Sequence, residues 1–355
     1  MKLTKDILLD LYTDYLISSC GLATATSMSA VLDNQVSHDS VTRLLSSGYI
    51  SSRRLWSEVR PMCEEIEQDD AVLIIDDSVE AKPYTDCNDL IQWHFDHTEG
   101  RSVKGVNFIS AIYHSLEMSL PVGVSFIKKD TVYKDKTGKE KRKSGTSKHE
   151  YFRELINHSH QRLSFRYVLS DSWFACADNM KFVVETCGRD FIMAIKENRK
   201  VAVSKEDKAL GKYISIKEAV SEGCVRPVYV EQLDFPILIA KQVFKNGDGV
   251  AGTLYLASSD LNLSYEQITT IYQKRWKVEE YHKSIKSNTS FPQSPTKRVM
   301  TQQSHFIASI LAYVKLERLK IKKSKNHFAL KSLMVINATK AAWITLQHLD
   351  GKRAA

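Results

Sequence analysis

The sequence predicts an α/β protein built around one central sheet, and three observations carry that reading. Ala71-Val-Leu-Ile-Ile75 is a short unbroken apolar run rich in β-branched residues, the pattern of a strand buried on both faces. Strand-like runs follow at 105–116, 122–126, 167–170 and 191–195, with helical stretches at 150–161 and 175–186 between the last three. Before residue 70 and after residue 263 the apolar spacing is helical throughout. The resulting order is helices, then β-β-β-α-β-α-β, then a β-rich insertion, then helices.

Each element has its own justification. Ile7, Leu8, Leu11, Tyr12, Tyr15 and Leu16 recur at helical spacing and predict one buried stripe. In VSHDSVTRLLSSG, Ser37 suits an N-cap and Gly48 a C-cap. Between Ala23 and Leu45 two short helices separated by Asp33-Asn-Gln35 fit a helix-turn-helix presenting His38, Asp39, Thr42 and Arg43, and fit an ordinary helical bundle equally well. Residues 128–148 hold nine Lys or Arg against three acids, which predicts a basic loop. Within it Lys141, Arg142 and Lys143 are candidate contacts to a DNA backbone. Short strands are expected at 225–230, 237–244 and 250–256, with Asn246-Gly-Asp-Gly249 as the turn joining the last two. Long helices are expected at 264–286, 301–323 and 330–348. The domain boundaries that follow are 1–70, helical and a possible DNA-binding domain; 71–196 with 263–290, the core; 197–262, the β-rich insertion; and 291–355, a C-terminal helical region.

Composition narrows the function classes. A formal charge of +8 favours anionic partners without naming one. No apolar run reaches the roughly 18 residues that cross a bilayer, and the N-terminal segment carries acids within its apolar stretch, so a membrane role is not expected and a cytoplasmic location is. The six cysteines form no C-x-x-C pair and predict neither a disulfide framework nor a structural zinc site. His94, Asp96, His97 and His114 match no common metal spacing. No serine sits in a nucleophile elbow, and Gly105 and Gly123 form no phosphate-binding pattern.

The chemistry-bearing constellation lies in IYQKRWKVEEYHKSIK. Tyr272, Arg275, Glu279 and Lys286 are separated by steps of 3, 4 and 7, which on a continuous helix return all four side chains to one narrow face, with Lys283 close to it. An aromatic, cations and a carboxylate on one face are unsuited to a core and suited to gripping phosphates beside a metal-bound acid. A solvated helix with routine ion pairs such as Arg275–Glu279 is the other reading of that spacing.

As Y-x2-R-x3-E-x6-K, these four residues resemble the signature of the hairpin-forming DDE transposases of the bacterial insertion-sequence group-four family. A strand ending in Asp76-Asp-Ser78 and a strand ending in Asp171 within YVLSDSWF fall in the matching order, and the resemblance covers about residues 70–290. It implies an RNase H-like catalytic core with a β-rich insertion, in which the first and fourth strands lie side by side and bring their terminal acids together. Asp77, Asp171 and Glu279 are then the catalytic residues and the ligands of two Mg²⁺ ions, with Mn²⁺ able to substitute. Asp76 is the alternative first ligand, since adjacent strand residues face opposite ways. Glu280 neighbours the third position but lies off the Tyr272/Arg275/Lys286 face. Tyr272, Arg275, Lys283 and Lys286 are the DNA-binding residues of the helix. The partners implied are double-stranded DNA, both transposon inverted repeats and target, and further copies of the chain in a homodimer or larger complex, on the bacterial nucleoid. The implied reaction frees a 3′-hydroxyl, joins it to the opposite strand as a hairpin, reopens the hairpin and joins the end to target DNA. Family members carry a tryptophan in the inserted strands; this insertion has none, and Tyr255 and Phe244 are its candidate base-stacking aromatics. An RNase H-like structure-specific nuclease and a non-catalytic domesticated DNA-binding protein are the alternatives: the nuclease would not need the Tyr/Arg/Lys face, and the binder would gain nothing from three acids.

Overall fold

The computed structural model describes residues 3–96, 100–245, 249 and 251–353, without the side chains of 251 and 348–353. His97 and the turn residues Asn246, Gly247 and Asp248 lie outside the described residues. The chain divides into two compact units, one of Met1–Val59, Glu80–Gly105 and Glu280–Ala355, the other of Arg60–Val79 and Val106–Glu279.

Four helices open the chain: α1 (Lys5–Ser18), α2 (Ala25–Val31), α3 (His38–Ser46) and α4 (Ser52–Ile66). Ser37 caps α3 by accepting from the Ser40 N–H, and Gly48 follows its end with φ +70°, as its sequence predicts. Leu8, Tyr12, Tyr15 and Leu16 of α1 are buried as expected, but Leu11 is half-buried and Leu9 replaces Ile7, which is exposed. His38, Asp39, Thr42 and Arg43 are exposed on α3.

The core strands then follow: β1 (Val72–Ala81), β2 (Gln92–Asp96), β3 (Arg101–Ser115) and β4 (Met118–Phe126). The first strand does not stop at the acids; Asp76 and Asp77 sit in its middle and pairing continues to Ala81. In the unit that holds this outer end, the backbone passes so close that a Cβ on Gly105 would stand 2.1 Å from the Glu80 carbonyl oxygen, so only glycine fits there. Leu116 and Glu117, both with positive φ, join β3 to β4 in a two-residue turn made without glycine. Pro121 is tolerated in β4 because the ladder slips beside it: Ala111 pairs Gly123 while Ile112 pairs Pro121.

The basic segment expected as a loop forms an exposed hairpin instead, β5 (Thr131–Lys134) against β6 (Glu140–Lys143). Next come α5 (Lys148–His160), opened by a Ser147/Glu150 capping box, β7 (Tyr167–Ser170), α6 (Ala177–Lys181) with a π turn at Phe182–Thr186, and β8 (Asp190–Ile195). Small elements β9 (Lys200–Val201), α7 (Lys205–Ala209), β10 (Ile214–Ser215) and α8 (Ile216–Ala219) lead to β11 (Val225–Val228), β12 (Ile237–Lys245) and β13 (Ala251–Ser258). The last three, read from sequence as an insertion, continue the central sheet, because β13 pairs antiparallel with β8.

Within its unit the sheet runs β11-β12-β13-β8-β7-β1-β3-β4, with β1, β7 and β8 parallel and β4 antiparallel to β3. Numbered along the chain, the core strands β1, β3, β4, β7 and β8 stand in the order 3-2-1-4-5, and this is a mixed α/β RNase H-like core. In the other unit β2 pairs the start of β3.

The long helix expected at 264–286 is two helices, α9 (Tyr265–Gln273) and α10 (Trp276–Asn288). Between them Lys274, Arg275, Lys277 and Val278 donate their backbone N–H groups three residues back, a tight 3₁₀-type turn that no Gly or Pro announces. Two more helices, α11 (Val299–Lys323) and α12 (His327–Arg353), close the chain. Their unit holds a buried polar centre in which the Tyr12 hydroxyl lies 2.9 Å from His305 Nδ1 and His305 Nε2 lies 2.9 Å from the Ser290 carbonyl oxygen.

Candidate active site

The site starts from a register. In the parallel pair β1/β7, Ile74 stands opposite Leu169, so two residues further on Asp76 is carried level with Asp171, just past the end of β7. Asp76 and Asp77 follow the unbroken apolar half of β1, whose four residues 72–75 are fully buried. That half anchors the strand, and the carboxylates emerge where its burial ends. Strand alternation then sends the neighbouring acids apart.

Asp76 turns toward the third helix motif. Arg275 bridges it to Glu279, with Nη1 3.1 Å from Asp76 Oδ2 and Nη2 2.6 Å from Glu279 Oε1. The tight turn before α10 places Arg275 so that it reaches both, while Tyr272, one 3₁₀ turn earlier, keeps its ring 5.8 Å from the guanidinium. Tyr272 is itself buried and its hydroxyl donates to the Ser170 carbonyl oxygen at 3.3 Å, which ties α9 to the end of β7. Asp77 faces a different pair: Lys148 Nζ lies 2.6 Å from its Oδ2, and the Asn107 amide nitrogen 3.3 Å from the same atom. Asp171 Oδ1 accepts from the Trp173 N–H at 3.0 Å.

The electrostatics are those of crowded like charges. Burial, then the Asp171 charge, push Asp76 up to about 7, against the pull of Arg275. Asp171 is also raised, by burial first and by Asp77 after the opposing Trp173 hydrogen bond. Arg275 and Lys148 are thus cations lodged among acids that would otherwise repel, and Arg275 Nε is buried without a hydrogen-bond partner. Among the described residues no three His, Cys, Asp or Glu side chains gather tightly enough to hold a metal ion as they stand. The donor chemistry nonetheless fits one: hard carboxylate oxygens, held against their own repulsion by side-chain cations.

Asp76, Asp77, Asp171, Tyr272, Arg275 and Glu279 therefore share one unit. Lys283 and Lys286 belong to the other. There Lys286 Nζ stands 3.7 Å from Glu80 Oε2, and the exposed Lys283 lies over the Phe328 ring. Because the helix is broken, the single continuous face expected for the four signature residues is replaced by two segments joined at Arg275. Lys141, Arg142 and Lys143 all lie on the exposed β6. Of the insertion's aromatics, Phe244 is exposed and Tyr255 buried. His94 and His114 are both buried, and His114 is paired with Ser119. Sequence reasoning missed Lys148 and Asn107, which hold Asp77. Lys148 was hidden in a basic run, and Asn107 had no distinguishing neighbour.

Residues 4–210 match the family described as DDE superfamily endonuclease, and residues 139–315 match the transposase DDE domain. The chain belongs to the DDE superfamily. No curated protein matches. Two solved structures share low identity with it. One is an endonuclease V from Bacillus subtilis, 9% identical, covering 79% of this chain and 98% of that one at a TM-score of 0.26. The other is the Drosophila P element transposase in a strand transfer complex, 11% identical, covering 92% and 82% at 0.25. Similarity at this level carries no mechanistic weight. The family matches support a DDE transposase or endonuclease, and no described helix is long and apolar enough to cross a membrane.

Proposed function

We propose that this chain is a cut-and-paste transposase of the hairpin-forming, group-four type. In this reading it cleaves the ends of its element and transfers them into target DNA. The observation that supports it most is the placing of Asp76 and Asp171 level with each other on two adjacent parallel strands, with Asp77 beside them and Arg275 bridging Asp76 to Glu279. Asp77, Asp171 and Glu279 are the proposed catalytic acids, with Asp76 the alternative first ligand, and they would hold two Mg²⁺ ions, or Mn²⁺ in their place. Such a pair, when bound, supplies Lewis-acid activation of the attacking oxygen and stabilisation of the leaving one.

The chain's own groups do the rest. Arg275 restrains Asp76 and Glu279 while the site waits for DNA, and its forked guanidinium suits a phosphate at the cleaved end. Tyr272, fixed on Ser170, positions the turn that carries Arg275. Lys148 steers Asp77, and Lys286 and Lys283 add point charges for the DNA backbone. The products are a freed 3′-hydroxyl, a hairpin made by its attack on the opposite strand, a reopened end, and a joint to target. The protein acts as a homodimer or larger complex on the bacterial nucleoid.

The test is cleavage of a duplex bearing the repeats that flank the gene, with Mg²⁺ or Mn²⁺. Asp171→Ala and Glu279→Ala should each lower release of 3′-hydroxyl ends on the order of 10³-fold while binding persists. Asp76→Asn and Asp77→Asn, compared directly, identify the first ligand by the larger loss. Full cleavage by Glu279→Ala would sink the assignment.

A further inference from the structure

We infer that the β5–β6 hairpin is a DNA-reading ribbon that enters the major groove and delivers the duplex to the carboxylates. The inference rests on the transposase reading and deepens it by naming the element and the groove.

The hairpin stands apart from the central sheet as a two-stranded sheet of its own, and all eight strand residues are exposed. Four cross-strand pairs, Thr131 with Lys143, Val132 with Arg142, Tyr133 with Lys141 and Lys134 with Glu140, give it two solvent faces. A ribbon with no apolar face against the protein is not built to complete a core. Four pairs extend roughly 14 Å at about 3.4 Å per residue, more than the depth of about 8.5 Å of a major groove that admits such a ribbon.

Its charge fits the partner. Asp135 is spent within the ribbon: it accepts from the Thr137 and Lys139 N–H groups, closing the turn at Gly138 (φ +80°), and pairs with Lys141 at 2.9 Å. The Thr137 hydroxyl, 2.6 Å from Asp135 Oδ1, then Lys141 and these N–H groups hold the Asp135 carboxyl well below the usual carboxylate range. Asp130 is spent on the Gly145 N–H at the base. What the ribbon presents outward is a set of lysines and an arginine against one acid, the exposed Glu140 at the start of β6, with Tyr133 carrying the Lys143 ammonium 5.8 Å above its ring.

Both feet of the ribbon end on the groups that hold Asp77. At the entry, the Ile127 N–H donates to the carbonyl oxygen of Asn107, whose amide reaches Asp77. At the exit, Lys148 opens α5 and pairs with Asp77. A duplex gripped by the ribbon is therefore tethered to the acids through short, hydrogen-bonded connections.

The experiment measures binding of a mixed-sequence duplex against salt, with methyl green as a major-groove competitor and distamycin as a minor-groove one. Lys141→Gln/Arg142→Gln/Lys143→Gln should weaken binding by 10- to 100-fold and make the slope of log affinity against log salt shallower by about 3. Methyl green should compete with the wild type and much less with a variant whose residues 131–143 are replaced by a Gly-Ser linker; distamycin should spare the ribbon-dependent part. Asp135→Asn, which adds positive charge but opens the turn, should weaken binding. Tighter binding by that variant would mean that bare charge acts, not a shaped ribbon. Competition by distamycin alone, or unchanged affinity in the linker variant with its thermal unfolding intact, would overturn the inference. A wild type that binds and cleaves beside an equally active linker variant sinks only the ribbon, whereas a wild type that never cleaves sinks the transposase reading itself.

Discussion

The carboxylate cluster and the Tyr12–His305–Ser290 centre both bury titratable side chains, and they follow opposite rules. At His305 both ring nitrogens have neutral partners, and burial, then Lys82, push the imidazole down to about 4. Every group there is satisfied in its uncharged form. Among the acids, Asp76, Asp77 and Asp171 crowd one another with the same sign and are tolerated through Arg275 and Lys148 together with neutral donors from Asn107 and the Trp173 N–H. The first arrangement stabilises a fold; the second gives up stability for a place where cations and phosphates can bind. That contrast can be broken by mutation.

The largest effect belongs to the satisfied centre. His305→Ala should destabilise the protein by about 3 kcal/mol, from the cavity and from the stranded Tyr12 hydroxyl and Ser290 carbonyl. Denaturant titration followed by circular dichroism checks this, and a loss within the noise would mean the hydrogen bonds contribute nothing. Next comes pH. The fold binds neutral His305, whose pKa falls from 6.5 unfolded to about 4 folded, so its contribution is intact above pH 6.5 and is lost as pH drops toward 4. Between pH 7 and 5 the wild type should lose roughly 2 kcal/mol more than His305→Gln does, read from the difference between their denaturation midpoints. Parallel pH profiles for the two proteins would contradict the assignment of His305 as neutral. The smallest effect has the opposite sign. Asp171→Asn should abolish cleavage yet raise stability by about 1 kcal/mol, a gain of roughly 1–2 °C in Tm, because it removes one of the repelling charges. Mg²⁺ should raise the Tm of the wild type and not of this variant, through binding to the folded state alone. A Tm lowered by Asp171→Asn would show that the acids are structural.

Much of this was legible in the chain. Ala71–Ile75 announces a buried strand because every residue is apolar, and Ser37 and Gly48 announce a helix through capping chemistry. The spacing of Tyr272, Arg275 and Glu279 marks the third part of the site. Other features depend on distant partners. Asp76 to Ala81 lacks alternation, so nothing local shows β1 running on; its neighbours in the sheet hold it extended. The charges of 128–148 mask a ribbon whose order comes from Asp130 and Asp135 folding back on the backbone. Gln92–Asp96 follows a polar segment and pairs only once β3 is in place. The place of β11–β13 beside β8 is a tertiary choice that strand propensity does not record.

The tight turn at Lys274–Arg275 fixes how much length variation this site tolerates. Adding or removing one residue there would rotate α10 by about 100° about its axis and break the bridge by which Arg275 joins Asp76 to Glu279. Functional relatives should thus conserve the count between the tyrosine and the glutamate to the residue. Indels in a set of homologues, sorted by this interval, would separate working enzymes from decayed copies before any is purified.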